Sequence, residues 1–202
     1  MRPSEALKFR LYENASRIPR NATDRVIVFR SLKEKAHWLD SAASLDALRN
    51  DVQTYVKRFA GFNDAEARTR AIQRWVRDNI KYQYDYRVSI QARGEEFADT
   101  MSLLNRGYGD CDDKARIFVA LVRAVEMVKP LGVRARIRPI FTREPYEFVH
   151  VQAEVKWPRS ALHENSQGPK GWLLAELILK DCEIGQNPDT VPRQPNGERF
   201  IV

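Results

Sequence analysis

Two stretches in the first half of the chain repeat apolar residues at the spacing of a helix face. The first begins at Ser44 and ends before Gly61, and its apolar positions are Leu45, Leu48, Val52, Tyr55, Val56 and Phe59. The second begins near Asn63 and Asp64 and carries, on one face, Ala71, Ile72, Trp75 and Val76. An apolar residue at every third or fourth position is typical of an amphipathic helix that packs on a core. We therefore predict two core helices, followed by a short extended segment at residues 80–84.

A third helix is predicted directly after the glycine-containing turn at residues 107–109. Asp110 is placed to cap this helix, so Cys111 falls in its first turn. The apolar positions of the helix share one face: Ala115, Ile117, Phe118, Ala120, Leu121, Ala124 and Met127. Pro130 and a glycine two residues later end helical structure. The stretch before the turn, residues 85–106, is mostly polar and is predicted to form a loop.

Alternating apolar and polar residues predict three strands in the last third of the chain. Residues 133–138 alternate strictly and place three arginines on one face, and residues 148–157 place valines and an alanine on a buried face. Residues 172–179 are apolar apart from Glu176. The polar loop 158–170 predicts an antiparallel hairpin between the last two strands. Helices followed by strands indicate an α+β fold, in which a small antiparallel sheet covers the cysteine helix and buries its apolar stripe.

These patterns divide the chain into a core and two arms. The core is predicted at residues 44–184. Residues 1–43 form a basic N-terminal arm, whose first 35 residues carry nine Lys/Arg against four acids, and within it Val26–Phe29 is a short apolar run that predicts a strand. Residues 185–202 contain three prolines and are predicted to form an extended C-terminal arm.

Composition excludes several classes of protein. No stretch reaches the roughly 18 apolar residues that are needed to span a bilayer, and the N-terminus lacks the apolar segment of a signal peptide. We therefore expect a cytoplasmic protein without a membrane partner. Two cysteines, Cys111 and Cys182, are too few for a disulfide scaffold. The net charge of +7, most of it in the N-terminal arm, favours a solvated segment that keeps the protein soluble, with an acidic partner as the alternative. No zinc-finger spacing, RNA-binding aromatic motif or phosphate-binding glycine loop supports binding to nucleic acid.

The position of Cys111 is suited to a nucleophile, because the backbone N–H groups and the dipole at a helix start favour a thiolate. A thiol nucleophile needs a base, and the base needs an acceptor that orients it. Of three histidines, His150 is the best candidate base, since it lies on the polar face of a predicted strand. Glu176, a lone carboxylate in an apolar strand, needs a partner if it is buried, and a histidine across the sheet would serve. Alternatively, the side chain of Glu176 lies in solvent at the edge of the sheet. The fallback candidate for the orienting acid is Asp181.

Asp110, Asp112 and Asp113 complicate the environment of the thiol. Their charges raise the pKa of Cys111 and oppose the helix dipole, so a thiolate would depend more heavily on a protonated His150 nearby. Alternatively, the carboxylates turn outward and cap the helix. Three acids in one stretch also suggest a metal site, but there is no second cluster of oxygen ligands and the spacing is not that of an EF-hand loop. We expect no metal ion and no cofactor.

Four motifs carry a resemblance to a known family. Gly109–Ala124 resembles the nucleophile segment of the transglutaminase-like cysteine proteins, and Gly132–Arg136 is similar to the strand that follows it in that family. His150–Val155 resembles the histidine strand of the family. Gly171–Glu176 resembles its tryptophan strand, in which an acidic residue four positions after the tryptophan completes a triad. The resemblance covers about residues 63–186.

The resemblance implies a papain-like fold with a catalytic triad of Cys111, His150 and Glu176, where the family more often has aspartate at the third position. Family members include transamidating cross-linkers, peptidases, peptide N-glycanases and proteins that have lost activity. The resemblance therefore implies a thiol-dependent amide hydrolase or acyltransferase that acts on a protein or peptide. The Cys111 backbone N–H would contribute to the oxyanion site, with Tyr82 or Trp75 as candidates for the second donor.

Two alternatives stay open within this resemblance. Hydrolysis and cross-linking differ only in whether water or an amine reaches the acyl-enzyme. Compact members with a Gly-Asp-Cys-Asp-Asp turn are similar to predicted proteins of tailed bacteriophages. The alternative to an enzyme is therefore a non-catalytic structural or interaction protein, such as a virion component whose terminal arms contact other subunits.

Overall fold

The structure is a computed structural model, and it describes residues 25–28, 32–83, 94–97, 100–141, 149–158 and 171–186. The predicted arms therefore fall largely outside the described residues, as does most of the predicted polar loop at 158–170. Within the described part, five helices and seven short strands alternate along the chain. The mixture of helices with a small antiparallel sheet confirms the predicted α+β class.

Five helices make up most of the described chain: α1 (Leu32–Asp46), α2 (Asn50–Phe59), α3 (Ala65–Asn79), α4 (Thr100–Arg106) and α5 (Cys111–Val128). The cysteine helix α5 is central, because α1, α2, α3 and two strands of the sheet all pack against it. Every residue from Cys111 to Val122 is buried. The prediction of a single apolar face on α5 was therefore wrong for its first three turns, which are enclosed on all sides. None of the described helices is long and apolar enough to cross a membrane.

The region predicted as one helix from Ser44 to Gly61 is two helices. α1 ends at Asp46, the chain turns, and α2 begins at Asn50. Leu45, near the end of α1, and Leu48, in the turn, are 57% and 65% exposed. Helical spacing does not continue across such a break, which is why these two leucines were wrongly assigned to the core.

Helix α1 belongs to the core although most of it lies in the predicted N-terminal arm. The predicted boundary at residue 43 falls inside α1. Trp38, Leu39 and Ala43 are buried in the main hydrophobic cluster. The helix also closes the edge of the sheet, because Asp40 accepts a hydrogen bond from the N–H of Ile137 at 3.2 Å. An edge strand whose backbone groups are bonded by side chains cannot pair with another chain there.

The main sheet has three antiparallel strands in the order β5-β6-β7: Arg134–Phe141, Val149–Lys156 and Leu173–Ala175. Its register places Ala135 opposite Val155 and Ala153 opposite Ala175. These positions face α5 and fill the core between helix and sheet, as predicted. Strand β7 is shorter than the predicted strand 172–179, because the side chain of Glu176 takes over the next two backbone N–H groups.

Two smaller sheets lie in regions that the sequence did not fully predict. β1 (Arg25–Val28) pairs antiparallel with β3 (Gly94–Phe97), so the predicted strand near residue 26 exists. β2 (Lys81–Tyr82) pairs in parallel with β4 (Tyr108–Gly109). The predicted loop 85–106 thus contains β3 and α4, and the predicted turn before Cys111 contains a strand. The β2–β4 pairing fixes the chain that leads directly into Cys111.

Candidate active site

The start of α5 is a tightly capped helix terminus. Asp110 is its N-cap, as predicted, and its Oδ1 accepts hydrogen bonds from the N–H groups of Asp112 at 3.0 Å and Asp113 at 3.3 Å. Gly109 is needed for this geometry, since a Cβ atom there would lie 2.7 Å from the Cβ of Asp113. Cys111 is therefore held at the first position of the helix by its neighbours on both sides.

The thiol of Cys111 lies in a closed, charged environment. Only 5% of the residue is exposed. Its Sγ donates to Asp112 Oδ1 at 3.1 Å, and the other oxygen of that carboxylate forms an ion pair with Lys35 from α1. From the sheet, strand β6 packs against α5, and the backbone of Val151 acts to lower the pKa of the thiol. The sulfur thus contacts a carboxylate on one side and strand β6 on the other.

These surroundings raise the pKa of Cys111 well above its ordinary value. Burial is the largest cause, and the charges of Asp112 and Asp110 add to it. The N–H of Val151 and the charge of Lys35 act in the opposite direction, but they are smaller effects. The helix dipole is therefore outweighed, and the thiol is protonated at rest. The sequence predicted that the helix dipole lowers the pKa of Cys111 and that the aspartates raise it, and the effect of the aspartates is the larger of the two.

The aspartates that follow Cys111 turn inward. Asp112 and Asp113 are each 1% exposed, and Asp113 pairs with Arg106 of α4 at 3.2 Å. The alternative prediction that these carboxylates face outward was wrong. Buried carboxylates need partners, and here the cations come from α1 and α4, elements whose positions the local sequence does not reveal.

Asp110, Cys111 and Asp112 also have the donor types of a metal site, with their ligand atoms within 4.8 Å of one another. Each of these donors already has a protein partner. Asp110 caps the helix, the thiol donates to Asp112, and Asp112 pairs with Lys35. A cation at this place would face the ammonium group of Lys35, so we assign no metal ion to the cluster.

Glu176 is buried, with 2% of the residue exposed, so the alternative of a solvated edge position is excluded. Its Oε1 accepts from the N–H groups of Leu177 at 2.9 Å and Ile178 at 2.8 Å. Its Oε2 accepts from the side-chain amide of Gln152 at 3.3 Å. Asp181, the fallback acid, is exposed. The carboxylate of Glu176 is thus fixed against β6, two residues along the strand from His150.

His150 lies in β6, where its backbone is paired with Ile140. Its side chain is outside the part of the chain that the structure describes. The neighbouring residues on the strand are described, and they contact both other predicted members of the triad. The backbone of Val151 acts on the thiol of Cys111, and the side-chain amide of Gln152 donates to Glu176. The fold therefore brings the strand of the predicted base between the predicted nucleophile and the predicted acid.

A buried lysine that sequence reasoning missed lies one turn after the cysteine. Lys114 is fully buried and donates to the backbone oxygen of Ile80 at 2.5 Å. Burial lowers its pKa from 10.5 to about 8, although the charge of Glu176 acts to raise it. Its position within the apolar run of α5 was a usable signal. Lys35 gave no such signal, because its partner lies on another helix.

The two candidates for a second oxyanion donor lie in different places. Tyr82 pairs with Gly109 in the β2–β4 sheet, two residues before Cys111. Trp75 packs with the rings of Tyr55 and Phe59 between α2 and α3, at centroid distances of 5.1 Å and 6.3 Å. Of the two, Tyr82 lies on β2, which pairs with β4, the strand that leads into the cysteine.

The arginine face of β5 is occupied by neighbours within the sheet. Arg136 and Arg138 both bind the buried carboxylate of Glu154, at 2.6 Å. Arg134 and Arg136 stack on the ring of Trp172, at 5.7 Å and 4.1 Å from its centroid. These contacts give the arginines a role in holding β5, β6 and the segment before β7 together.

Two solved structures are similar to the chain at low sequence identity. A comparison with curated proteins gives no match. A structure of a provisionally named cysteine protease from Cytophaga hutchinsonii is 15% identical, over 74% of this chain and 45% of that chain, with a TM-score of 0.43. A provisionally named protease from Parabacteroides distasonis is 11% identical, over 82% of this chain and 32% of that chain, with a TM-score of 0.48. The chain spans less than half the length of either structure.

One protein-family pattern matches the chain. The pattern of the transglutaminase-like superfamily matches residues 53–176, which is more than half of the chain. The matched stretch contains Cys111 and His150 and ends at Glu176. Together with the central cysteine helix packed on an antiparallel sheet, this match shows that the chain belongs to the transglutaminase-like superfamily and has its α+β, papain-like fold.

Proposed function

We propose that the protein is a thiol-dependent amide hydrolase or acyltransferase that acts on a protein or peptide. Cys111 is the nucleophile, His150 the base, and Glu176 the acceptor that orients the imidazole. One observation carries the proposal: strand β6, which holds His150, packs against α5, and the backbone of Val151 next to His150 acts on the thiol of Cys111. A base placed there is in the right segment to reach the sulfur.

The reaction begins with a neutral thiol. The sulfur of Cys111 forms a bond to the substrate carbonyl carbon, the S–H proton passes to His150, and the C=O π electrons move to the oxygen. The Cys111 backbone N–H, at the free end of a helix, donates to this oxyanion. The oxyanion then collapses, the C–N bond breaks, and His150 returns the proton to the leaving amine.

The resulting thioester determines the product. If water attacks it, the product is a carboxylic acid and the reaction is hydrolysis. If an amine attacks it, a new amide forms and the reaction is acyl transfer. In both cases His150 takes a proton from the attacking group, and the thiol of Cys111 leaves with a proton. The same three residues therefore serve either reaction.

The role proposed for Glu176 is supported by its fixation. Two backbone N–H groups and the amide of Gln152 hold its carboxylate at the end of β7. These three donors favour the ionised form, which is the form that accepts a hydrogen bond from an imidazole. Glutamate has the same carboxylate as the aspartate that the family more often has, on a side chain one methylene longer. Glu176 is therefore compatible with the same orienting role.

The setting of the protein is a separate part of the proposal. We place it in the cytoplasm or, for a phage-encoded protein, in the virion, where the terminal arms would contact other subunits. The Gly109–Asp113 turn is the basis for the phage setting. A purely structural role in such an assembly predicts that Cys111 does not react with acyl donors.

The test is acyl transfer from p-nitrophenyl acetate to the full-length chain, in the Cys182→Ala background. Attack by Cys111 releases one p-nitrophenolate per chain in a burst and leaves one acetyl group on the peptide that contains Cys111. We expect Cys111→Ala to abolish the burst. We expect His150→Ala to slow it by about 10²- to 10⁴-fold, the usual contribution of a general base, and Glu176→Gln to slow it less.

The fold of each variant is checked by circular dichroism and urea unfolding. A burst of unchanged size in Cys111→Ala, or an unchanged burst rate in His150→Ala, would contradict the proposal. Absence of any burst in the parent chain would favour the structural alternative.

A further inference from the structure

Lys35 and Asp112 form an ion pair that is enclosed in the protein. Lys35 comes from α1 and Asp112 from α5, and the two residues are 5% and 1% exposed. Taking two charges out of water is unfavourable unless the charges are paired and hydrogen-bonded within the protein. One oxygen of the carboxylate binds Lys35, and the other accepts the S–H of Cys111 at 3.1 Å. The three side chains form one continuous chain of contacts that ends at the sulfur.

The other groups that act on the sulfur are few. Asp110, the cap of α5, contributes a negative charge, and β6 contributes the N–H of Val151 and carries the proposed base His150. Asp113 forms an ion pair with Arg106 of α4. Among these groups, Asp112 is the one whose side chain accepts the hydrogen of the thiol.

We infer that Asp112, held by Lys35, is a positioning residue that keeps the proton on the Cys111 sulfur and directs the S–H bond to its own carboxylate in the resting protein. The inference deepens the proposed function and rests on it. A carboxylate paired with a lysine is a weak base, so Asp112 does not take the proton itself. The proton leaves to His150 when the sulfur attacks the substrate.

This arrangement differs from one in which a thiolate and an imidazolium already exist before substrate binds. A protonated, enclosed thiol reacts slowly with oxidants. The pair from α1 and α5 therefore protects the nucleophile between turnovers. It also explains why a strongly acidic segment surrounds a residue that must act as a nucleophile.

The test is a pH titration of the thiol itself, in the full-length Cys182→Ala chain labelled with ¹³Cβ-cysteine. The ¹³Cβ chemical shift reports the protonation of Cys111 and does not depend on access of a reagent. We expect Asp112→Asn to move the titration midpoint down by about 1–3 pH units, as removal of a charge at contact distance does. The matched control is Asp113→Asn, which removes a neighbouring buried charge and should leave the midpoint in place.

A change at Lys35, the other end of this chain of contacts, should shift the titration midpoint of Cys111 in the opposite direction. Lys35→Met removes the cation and should move the midpoint up. If Asp112→Asn fails to fold because Lys35 loses the carboxylate of Asp112, the double variant Lys35→Met with Asp112→Asn removes both charges. In it the midpoint should still fall, because the charge of Asp112 acts more strongly on the thiol than that of Lys35.

Two results would overturn the inference. One is a midpoint in the Asp112→Asn or double variant equal to that of the parent. The other is a parent thiol that is already ionised below neutral pH. Both are distinct from a failure of the proposed function, which is measured by the acetyl burst. A burst at Cys111 with no shift in Asp112→Asn leaves the enzyme assignment intact and removes the role of Asp112.

Discussion

The two cysteines of the chain are equally hidden but lie in different surroundings. Cys111 is 5% exposed and Cys182 is 0% exposed, and both are free thiols. The thiol of Cys111 donates to the carboxylate of Asp112. Cys182 packs with Leu179 in a small separate cluster. Its Sγ lies 3.9 Å from the backbone oxygen of Gln186.

The polar side chains near Cys111 and those near Cys182 bind different kinds of partner. Near Cys182, Gln73 and Arg77 of α3 donate to the backbone oxygens of the loop that follows Glu176, including that of Cys182 itself. Near Cys111, charged side chains bind one another and the sulfur. Buried polar groups that satisfy backbone hold a loop in place, whereas those that bind a thiol set its protonation. Burial alone does not distinguish a structural cysteine from a reactive one.

Glu176 joins the two regions, and its truncation should have the largest effect on stability. Glu176→Ala leaves the N–H groups of Leu177 and Ile178 and the amide of Gln152 without their acceptor. We expect the free energy of unfolding in urea to fall by about 4 kcal/mol, since each unsatisfied buried donor costs about 1–3 kcal/mol. The control Glu183→Ala, whose side chain is 35% exposed, should cost about 1 kcal/mol or less. Equal losses in the two variants would contradict this account.

Lys114 adds a charge on the Cys111 side that should appear in the pH dependence of stability. Its pKa is lowered from 10.5 to about 8, so between these values the unfolded chain holds a proton that the folded chain has lost. The contribution of Lys114 to the free energy of unfolding therefore increases by on the order of 3 kcal/mol as pH rises through this window.

The matched variant is Lys114→Met. Cys111 is the same in both proteins, so the difference between the parent and Lys114→Met isolates the lysine. Below pH 8 the variant should be favoured relative to the parent, and this advantage should disappear above pH 10.5. A difference that stays constant with pH, measured by urea unfolding at several pH values, would show that Lys114 keeps an ordinary pKa.

A change at Arg77 should affect the region of Cys182 without affecting the chemistry of Cys111. Arg77→Met removes hydrogen bonds to the backbone oxygens of Leu179 and Cys182 and an ion pair with Glu183. We expect a loss of about 2 kcal/mol in urea unfolding, with an unchanged acetyl burst at Cys111. Arg74→Met, on the exposed face of the same helix, should change neither quantity. A burst that falls in Arg77→Met while the fold persists would break the distinction between a structural and a chemical region.

The smallest effect is expected at two helix caps. Asp110 caps α5 and Asp64 caps α3, each through a carboxylate oxygen that accepts a backbone N–H. Asp110→Ala and Asp64→Ala should each lower the free energy of unfolding by about 1 kcal/mol. Only Asp110→Ala should also lower the pKa of Cys111, because the charge of Asp110 contributes to raising it. A thiol titration that shifts equally in both variants would argue against a local charge effect.

Much of the fold was predictable because it depends on local patterns. The N-cap at Asp110, the cysteine at the start of α5 and the antiparallel strands each follow from residues close together in sequence. The errors came from contacts between distant segments. Leu45 and Leu48 were misassigned because nothing in their spacing shows that the chain turns between α1 and α2. Helix α1 was assigned in part to an arm because its charge conceals Trp38 and Leu39.

The site was predictable in its residue types but not in its charge balance. The sequence indicated that Cys111 is surrounded by aspartates and that Glu176 needs a partner. It did not indicate that Lys35 reaches Asp112 from another helix, or that Gln152 and two backbone N–H groups hold Glu176. The two side-chain contacts, Lys35 with Asp112 and Gln152 with Glu176, join residues that are 24 or more positions apart. Such pairings are set by packing and leave no periodic signal.

The most direct test of the difference between the two cysteines is to map an acyl label in the unmodified chain. The protein is treated with p-nitrophenyl acetate in the folded state, and the acetyl group is located by mass spectrometry of peptides. A parallel reaction in urea shows that both thiols accept the label once the chain is unfolded. We predict that the folded protein carries the acetyl group on Cys111 and that Cys182 stays free. Equal labelling of the two cysteines, or labelling of Cys182 alone, would contradict the account.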